Sequence, residues 1–350
     1  MAAALQVTGW LMVAATLLPL VRSDYWIVRV LDFPRLQITV SFAAIFALYL
    51  LSREDPGIAD HVLLASMSLC LVYQLWRMWP YTPLHGQQVK RAEQQDPSRS
   101  LSLLISNVLE TNRDAATLLS LVRARDPDIV LLVEADSWWE EQLRDVEQSL
   151  PQVLKQPQSN TYGMLLYSRL PLIDPELRFL VQDDVPSIHT GVKLPSGDVV
   201  WLYGLHPRPP APGESTRSTE RDAELLLVAK LLEHQDRPSI VVGDLNDVAW
   251  SRTSSLFQKI SRLLDPRVGR GFYSTFNANW PFIRFPLDHA FVSHHFRVVA
   301  FEVLPHVGSD HFPVFAKLML ARAAADANRT PPAPDPGEER EAEEKISRAK

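Results

Sequence analysis

Ser239-Ile-Val-Val-Gly-Asp-Leu-Asn246 is a short, β-branched, apolar run that stops on a glycine, a carboxylate and an amide. So short a run, closed by a turn signal, reads as a buried strand over 239–243 whose end presents polar groups. The amphipathic stretch 214–234 before it reads as a long helix. Working outward, the same alternation recurs. Residues 101–106, 128–134, 164–168, 191–194, 199–205, 287–293, 297–304 and 313–320 read as strands, and 112–125 and 136–149 as helices. Strands mixed with helices over residues 99–320 predict one α/β domain.

Polar residues fall where these strands end or begin. Asn107 follows the first strand, Glu134 closes the second, and His206 follows the strand at 199–205. Asp244 and Asn246 lie just past 239–243, Asp288 opens 287–293, and Asp310 and His311 precede the last strand. Each alone is an ordinary turn residue. A carboxylate closing an apolar strand, as Glu134 does, is costly to bury unless paired or bound to a cation. Together they make an oxygen-rich pocket with two histidines at strand ends, where a rigid sheet presents functional groups. Such a donor set suits Mg²⁺ or Mn²⁺ better than zinc, since no cysteine is near and no His-x-x-x-His helix exists.

The rest of the chain sets limits. Cys70 is the one cysteine in 350 residues, which excludes an intramolecular disulfide framework and a multi-cysteine metal site. Apolar residues are 46% of the chain, enough for a sizeable core. The net charge of −6 argues against a protein that holds nucleic acid by bulk positive charge. Arg208, Arg217, Arg221, Arg252, Arg267, Arg270 and Arg284 are nonetheless candidates for a local basic stripe.

Residues 1–81 read as a membrane region with apolar runs near 5–21, 36–51 and 62–79, each at the short end of what a spanning helix needs. Two readings are open: three transmembrane helices, or three buried helices of a soluble domain. The runs offer no polar face to water, and several tryptophans and tyrosines sit near their ends, which favours spanning. Seven basic residues flank the side that carries the large domain, against Arg53 alone on the other. The positive-inside rule then predicts a multi-pass membrane protein with its C-terminal domain in the cytoplasm. Residues 82–98 read as a linker and 321–350 as a disordered tail, with helical character over 337–349.

The ordered set Ile105-Ser-Asn107, Val130-Leu-Leu-Val-Glu134, Tyr203-Gly-Leu-His206, Val241-Val-Gly-Asp-Leu-Asn246, Leu287-Asp288-His and Ser309-Asp310-His311-Phe-Pro resembles the endonuclease/exonuclease/phosphatase superfamily over residues 99–320. More narrowly, the chain resembles membrane-anchored bacterial members, which implies the bacterial inner membrane. The resemblance implies a four-layer α/β sandwich, two packed mixed sheets flanked by helices, behind an N-terminal bundle of three transmembrane helices. It implies that Glu134, Asn107 and Asp310 hold Mg²⁺, with Mn²⁺ as substitute. Asp244 would orient or deprotonate the attacking water, and Asn246 would hold it or a phosphate oxygen. His311, oriented by Asp288, would stabilise the transition state or assist proton transfer, and His206 would contact the phosphate and protonate the leaving oxygen. Many members carry a further acid at the place of Leu109, so ligation here leans on Glu134 and Asp310. The implied activity is metal-dependent hydrolysis of a phosphodiester or phosphomonoester, in nucleic acid or in a phospholipid or inositol phosphate headgroup, beside a lipid bilayer. The other reading is a catalytically weak membrane scaffold on the same fold. Nothing in the sequence calls for an obligate protein partner.

Overall fold

The two apolar runs at 129–133 and 239–243 lie in different sheets, each buried on both faces. The computed structural model describes residues 2–52, 57–321, 328 and 330–349. Arg53 and residues 322–327 of the expected tail lie outside the described residues. The N-terminal part holds helices α1 (Ala2–Leu17), α2 (Trp26–Arg29), α3 (Arg35–Leu51) and α4 (Ile58–Met78). The large domain then runs β1 (Ser100–Asn107), α5 (Ala115–Arg125), β2 (Ile129–Val133), α6 (Ser137–Gln142), β3 (Gln152–Gln156), β4 (Met164–Ser168), β5 (Leu172–Arg178), β6 (Ser187–Lys193) and β7 (Val199–Gly204). It continues through α7 (Thr219–Leu232), β8 (Ser239–Asp244), α8 (Arg252–Ser261), β9 (Asp288–Val292), β10 (Phe296–Val303), β11 (Val314–Leu320) and α9 (Pro336–Arg348).

One sheet has six strands in the order β10-β11-β1-β2-β4-β3, the other five in the order β5-β6-β7-β8-β9. Both are mixed: β1–β2 and β7–β8 pair parallel, and the remaining neighbours pair antiparallel. Side chains alternate along each strand, so one set meets between the sheets and the other faces helices. Leu103, Ile105, Leu131 and Val133 join Ile188, Leu202, Ile240 and Val242 in the inter-sheet core. Leu104, Val130 and Leu132 pack outward under Leu118 and Trp139, and Tyr203, Val241 and Phe291 pack outward under α7 and α8. Helix, sheet, sheet and helix thus form the layers. Truncating a fully buried leucine such as Leu131 to alanine is expected to cost about 2–5 kcal/mol.

Helices α1, α3 and α4 pack around Phe42, Leu63, Met67 and Cys70. Gly9 allows the close approach of α1 to α4, since a Cβ there would stand 3.1 Å from the Met67 sulfur. Their outer faces expose Leu11, Leu50, Leu69 and Val72. Segments Ala3–Leu20 and Ile58–Tyr81 are long and apolar enough to cross a membrane, and Trp26–Asp32 with Arg35–Leu51, bent by 70°, makes a third if that pair is one span. The start of α2, the start of α3 and the segment just after α4 all meet the large domain. Trp26 N donates to Thr216 O at 3.0 Å, Gln37 Nε2 to Arg284 O at 3.2 Å, and the Tyr81 hydroxyl to Ala249 O at 2.8 Å.

Several expectations change. The segment 82–98, expected as a linker, lies along the edge strand β10: Val298 N donates to Lys90 O, Ala92 N donates to Val298 O, and Val89 is buried in the inter-sheet core. It thereby covers edge groups that a bare linker would leave unpaired. The tail, expected to be disordered apart from helical character over 337–349, holds α9 docked on the domain. Asp335 caps it by accepting from Gly337 N and Glu338 N, Ala342 is buried against the α7–α8 layer, and Lys345 Nζ bonds Asp222 at 2.7 Å. This helix is held by capping and ion pairs rather than by a wide apolar stripe, so composition gave no sign that it docks. Strands β3 and β5 and helix α8 were not anticipated. The edge strand β5 is interrupted by a register shift between Ile173 and Glu176, which breaks the alternation that marks a strand.

Candidate active site

Strand direction brings the polar residues together. The parallel strands β1 and β2 end at Asn107 and Val133, and β7 and β8 end at Gly204 and Asp244. The antiparallel neighbours β9 and β11 begin at that same rim, with Asp288 in register opposite Asp244 and Val314 opposite Ile105. Ends of some strands and starts of others therefore converge. Gly243 makes the rim possible: its φ is 136°, and a Cβ there would lie 2.0 Å from the Leu205 carbonyl oxygen. Glu134 and Asn246 hold left-handed backbone at φ 57° and 50°. For glutamate this conformation is uncommon and is retained where the surroundings impose it.

The side chains form one connected cluster. Asn107 Nδ2 donates to Glu134 Oε1 at 2.6 Å and to Asp244 Oδ2 at 3.0 Å, while its oxygen accepts from Leu109 N. Asp244 Oδ1 accepts from Asn246 N at 3.0 Å. His311 Nδ1 donates to Asp288 Oδ2 at 2.8 Å, and its Nε2 lies 3.5 Å from Asp244 Oδ2. His206 Nδ1 donates to the Asp244 carbonyl at 3.2 Å, which turns Nε2 inward, 3.8 Å from Glu134 Oε1. Since a carbonyl only accepts, the His206 tautomer follows from this contact. Asn246 Nδ2 reaches back to Pro207 O at 3.0 Å. Asp310 stands beside His311, its carbonyl accepting from Ala278 N and its carboxylate 3.5 Å from the Ser309 hydroxyl; among the described residues no hydrogen bond joins it to Glu134 or Asn107.

The electrostatics follow from burial. Desolvation raises the Glu134 carboxyl above its ordinary range, although His206 and Asn107 oppose that rise. Burial alone would lower the His311 imidazolium, but the carboxylates of Asp244, Asp288 and Asp310 more than offset it and push it up to about 10. Asp288 Oδ1 is buried with no hydrogen-bond partner. Four carboxylates thus share a buried rim with two imidazoles, and one carboxylate oxygen is unsatisfied. That arrangement fits a divalent cation bound through oxygen. Asp244, Asp288 and His311 offer ligand atoms all within 4.8 Å of one another, a grouping that differs from the expected trio of Asn107, Glu134 and Asp310.

Other neighbours carry no sequence signal. The Phe276 ring lies 4.9 Å from the His311 ring, and the Tyr162 ring 5.8 Å from His206. Thr275 Oγ1 accepts from Asp288 N at 3.2 Å. Two arginines considered for a basic stripe are buried ties instead. Arg221 pairs with Asp222 and Asp247 and donates to the Asn246 carbonyl at 2.8 Å. Arg267 pairs with Asp265 and donates to His289 Nδ1 at 2.6 Å, so that His289 Nε2 donates to the Asp247 carbonyl. Burial, then the Arg267 charge, holds His289 neutral.

The chain matches the Endonuclease/Exonuclease/phosphatase family over residues 104–311. Among solved structures it is similar to an endonuclease/exonuclease/phosphatase from Beutenbergia cavernae (19% identity, TM-score 0.50, 64% of this chain and 72% of that one). It is also similar to D. rerio TDP2 complexed with a single-strand DNA product (18%, TM-score 0.52, 63% and 98%). The catalytic domain of human Nocturnin with bound sulfate is a third likeness (17%, TM-score 0.52, 69% and 99%). At these identities the likeness is one of fold. No curated protein matches the chain.

Proposed function

The chain belongs to the endonuclease/exonuclease/phosphatase family, and from that premise we propose that it is a membrane-anchored, divalent-metal-dependent phosphoesterase. The observation that carries the reading is the buried His311–Asp288 contact at 2.8 Å, with Asp244 3.5 Å from the other imidazole nitrogen. In this reading Glu134, Asn107 and Asp310 hold Mg²⁺ or Mn²⁺, joined by the buried carboxylates that face them. Bound there, the cation would offset the negative charge that gathers on the phosphate oxygens.

The protein's own groups do the rest. Asp244, held by Asn107 and by Asn246 N, orients a water and takes its proton as the water oxygen bonds phosphorus. His311, kept protonated by its three acidic neighbours, hydrogen-bonds the phosphoryl oxygens as charge develops on them. Asp288 holds that imidazole in orientation by accepting from Nδ1. His206 presents Nε2 to the leaving oxygen and, as imidazolium, gives it a proton when the phosphorus–oxygen bond breaks.

The surroundings of the rim favour an ester at a membrane surface over nucleic acid. The loop between Phe276 and Phe285 exposes Trp280 (63%), Phe282 (85%) and Ile283 (49%). Its Ala278 N bonds the Asp310 carbonyl on one side, and Arg284 O accepts from Gln37 at the start of α3 on the other. An exposed aromatic tip beside an apolar helix suits the interfacial layer of a bilayer. Of the seven arginines considered for a basic stripe, Arg208, Arg221, Arg252 and Arg267 are held in ion pairs, which leaves fewer free positive charges for a phosphate backbone. The test is hydrolysis of bis(p-nitrophenyl) phosphate by the full chain in detergent, with Mg²⁺ and with chelator, followed by DNA, sphingomyelin and phosphoinositides. Chelator-sensitive turnover is expected, with an amphiphilic ester preferred. Turnover unchanged by chelator, or none on any ester, overturns the reading.

A further inference from the structure

A cavity of about 500 Å³ is walled by the ends of α1 and α4, the α2 segment, the start of α8, and α9. Leu20, Arg29, Phe33, Tyr73, Arg77 and Arg340 are among its lining residues. Nine cationic side chains line it, against five carboxylates. Asp222 and Glu338, behind the wall, also pair with lining cations and bring the acids to seven. Seven of the nine cations meet a carboxylate within 4 Å: Arg29 and Arg35 on Asp32, Arg221 on Asp222, Arg252 and Arg22 on Glu341, and Lys345 and Arg348 on Asp24. Among the described residues the two left over are Arg77 and Arg340, neither of which makes an ion pair. Arg77 donates to the Trp250 carbonyl, but its Nε is buried without a partner. Arg77 is half-buried with a nitrogen left unpaired, which is costly unless an anion satisfies it, and the exposed Arg340 adds a second unpaired charge at the cavity wall.

We propose that this cavity binds a phosphate group, with Arg77 and Arg340 as its principal cationic contacts. Guanidinium forks match phosphate oxygens in pairs, which suits this anion over a carboxylate. The phosphate can be the headgroup of an anionic lipid or free in solution. The position at the domain-side ends of α1 and α4, with Leu20, Phe33 and Tyr73 in the wall, favours the lipid; that source rests on the spanning reading, and the site itself does not. The site also touches the catalytic loop: the lining residue Arg221 holds the Asn246 carbonyl. A bound phosphate therefore stabilises the junction on which that loop rests.

The test compares thermal unfolding of the full chain in nanodiscs of phosphatidylcholine alone, of phosphatidylcholine with phosphatidic acid, and of phosphatidylcholine with added inorganic phosphate. A ligand that binds only the folded chain raises the midpoint. The expected result is a rise of several degrees with phosphatidic acid, at least halved in the Arg77→Gln/Arg340→Gln variant. A comparable rise with inorganic phosphate, lost in the same variant, identifies a free anion as the source and equally supports the site. Phosphate held at the Asp244–His311 rim would be insensitive to these substitutions, so a shift of full size in the variant overturns the proposal, as does no shift with either anion. Should Arg77→Gln fail to fold, Arg340→Glu, on the exposed face of α9, must weaken the shift by itself. Carbonate extraction of the chain from membranes tests the spanning reading separately: release would remove the lipid source and leave the inorganic phosphate arm decisive.

Discussion

Two groups of acid and histidine sit at opposite ends of the β8–β9 pair. Asp244, Asp288 and His311 cluster where β8 ends and β9 begins, all three buried. Asp236, His294 and His295 cluster at the other end, where the Asp236 side chain is 82% exposed and lies 3.4 Å from both Nε2 atoms. The donor types are alike, so ligand chemistry by itself does not separate them. What differs is the surroundings. At the buried end, Asn107 holds Asp244 and Asp288 holds His311, and His311 is pushed up to about 10 by three acids once its burial is overcome. At the exposed end the two imidazoles stack on each other at 4.0 Å, and burial followed by the His294 charge lowers His295. Asp236 is open to water, and of the two half-buried rings His295 has the Ser293 hydroxyl on Nδ1 at 3.0 Å as its further hydrogen bond. Preorganisation in a low-dielectric rim, rather than the residue types, marks the site that can do chemistry.

The largest effect that sharpens this contrast is on turnover. His311→Ala is expected to lower kcat/KM by about 10³-fold, within the range for a lost proton-transfer or charge-stabilising group. The His294→Ala/His295→Ala pair should stay within about twofold of the parent, the scatter expected of surface changes. Equal losses on a chromogenic phosphodiester would erase the distinction between the two ends.

Next comes the metal. Glu134→Gln keeps the shape and removes a charge, so Mg²⁺ affinity should fall about 10- to 100-fold, with excess Mg²⁺ restoring part of the rate. Isothermal titration showing unchanged binding would remove Glu134 from the ligand set. Asp236→Asn, at the exposed end, should leave the titration as it was.

A smaller loss, about 10- to 100-fold in kcat/KM, is expected for Asp288→Asn, which frees the imidazole to adopt the wrong tautomer. Combined with His311→Ala it should add little, because residues acting as a unit are non-additive. Losses that multiply across the two substitutions would mean that the residues act separately.

The smallest effect is on stability, and its sign differs between the two ends. His311 has a folded value raised from 6.5 to about 10. In chelated protein its contribution is therefore fully present below pH 6.5 and is lost as pH rises toward 10. His295 is lowered. Its unfolded form binds the proton more readily, so that contribution is present above pH 6.5 and is lost as pH falls. Denaturant midpoints measured across pH 5 to 10 should show the alkaline slope vanish in His311→Ala and the acid slope lessen in His295→Ala. An alkaline slope that survives His311→Ala would place the titration elsewhere.

Much of the domain was legible from short-range pattern. Apolar runs such as 129–133 and 239–243 announce central strands because a strand buried on both faces cannot alternate. Polar residues at their ends announce a rim because a buried sheet has few other places for them. The left-handed turn at Gly243 and the Asp244–Asn246 step are local as well, so the motif and its geometry coincide. The long N-terminal helices α1, α3 and α4 follow from their apolar composition.

The rest depended on partners distant in sequence. The order of strands decided that Asp288, which opens β9, faces Asp244, which ends β8, and no spacing rule contains that register. Arg221 and Arg267 read as basic surface until tertiary contacts place Asp222, Asp247 and Asp265 around them. Helical character over 337–349 could be read in the sequence, but what docks that helix could not: Lys345 and Arg348 pair with Asp222 and Asp24, more than a hundred residues away. Composition and periodicity report what one segment buries by itself. Ion pairs, tautomers and the charge balance of the rim and of the junction cavity arise only when separate segments remove water from one another, and those were decided by the tertiary structure.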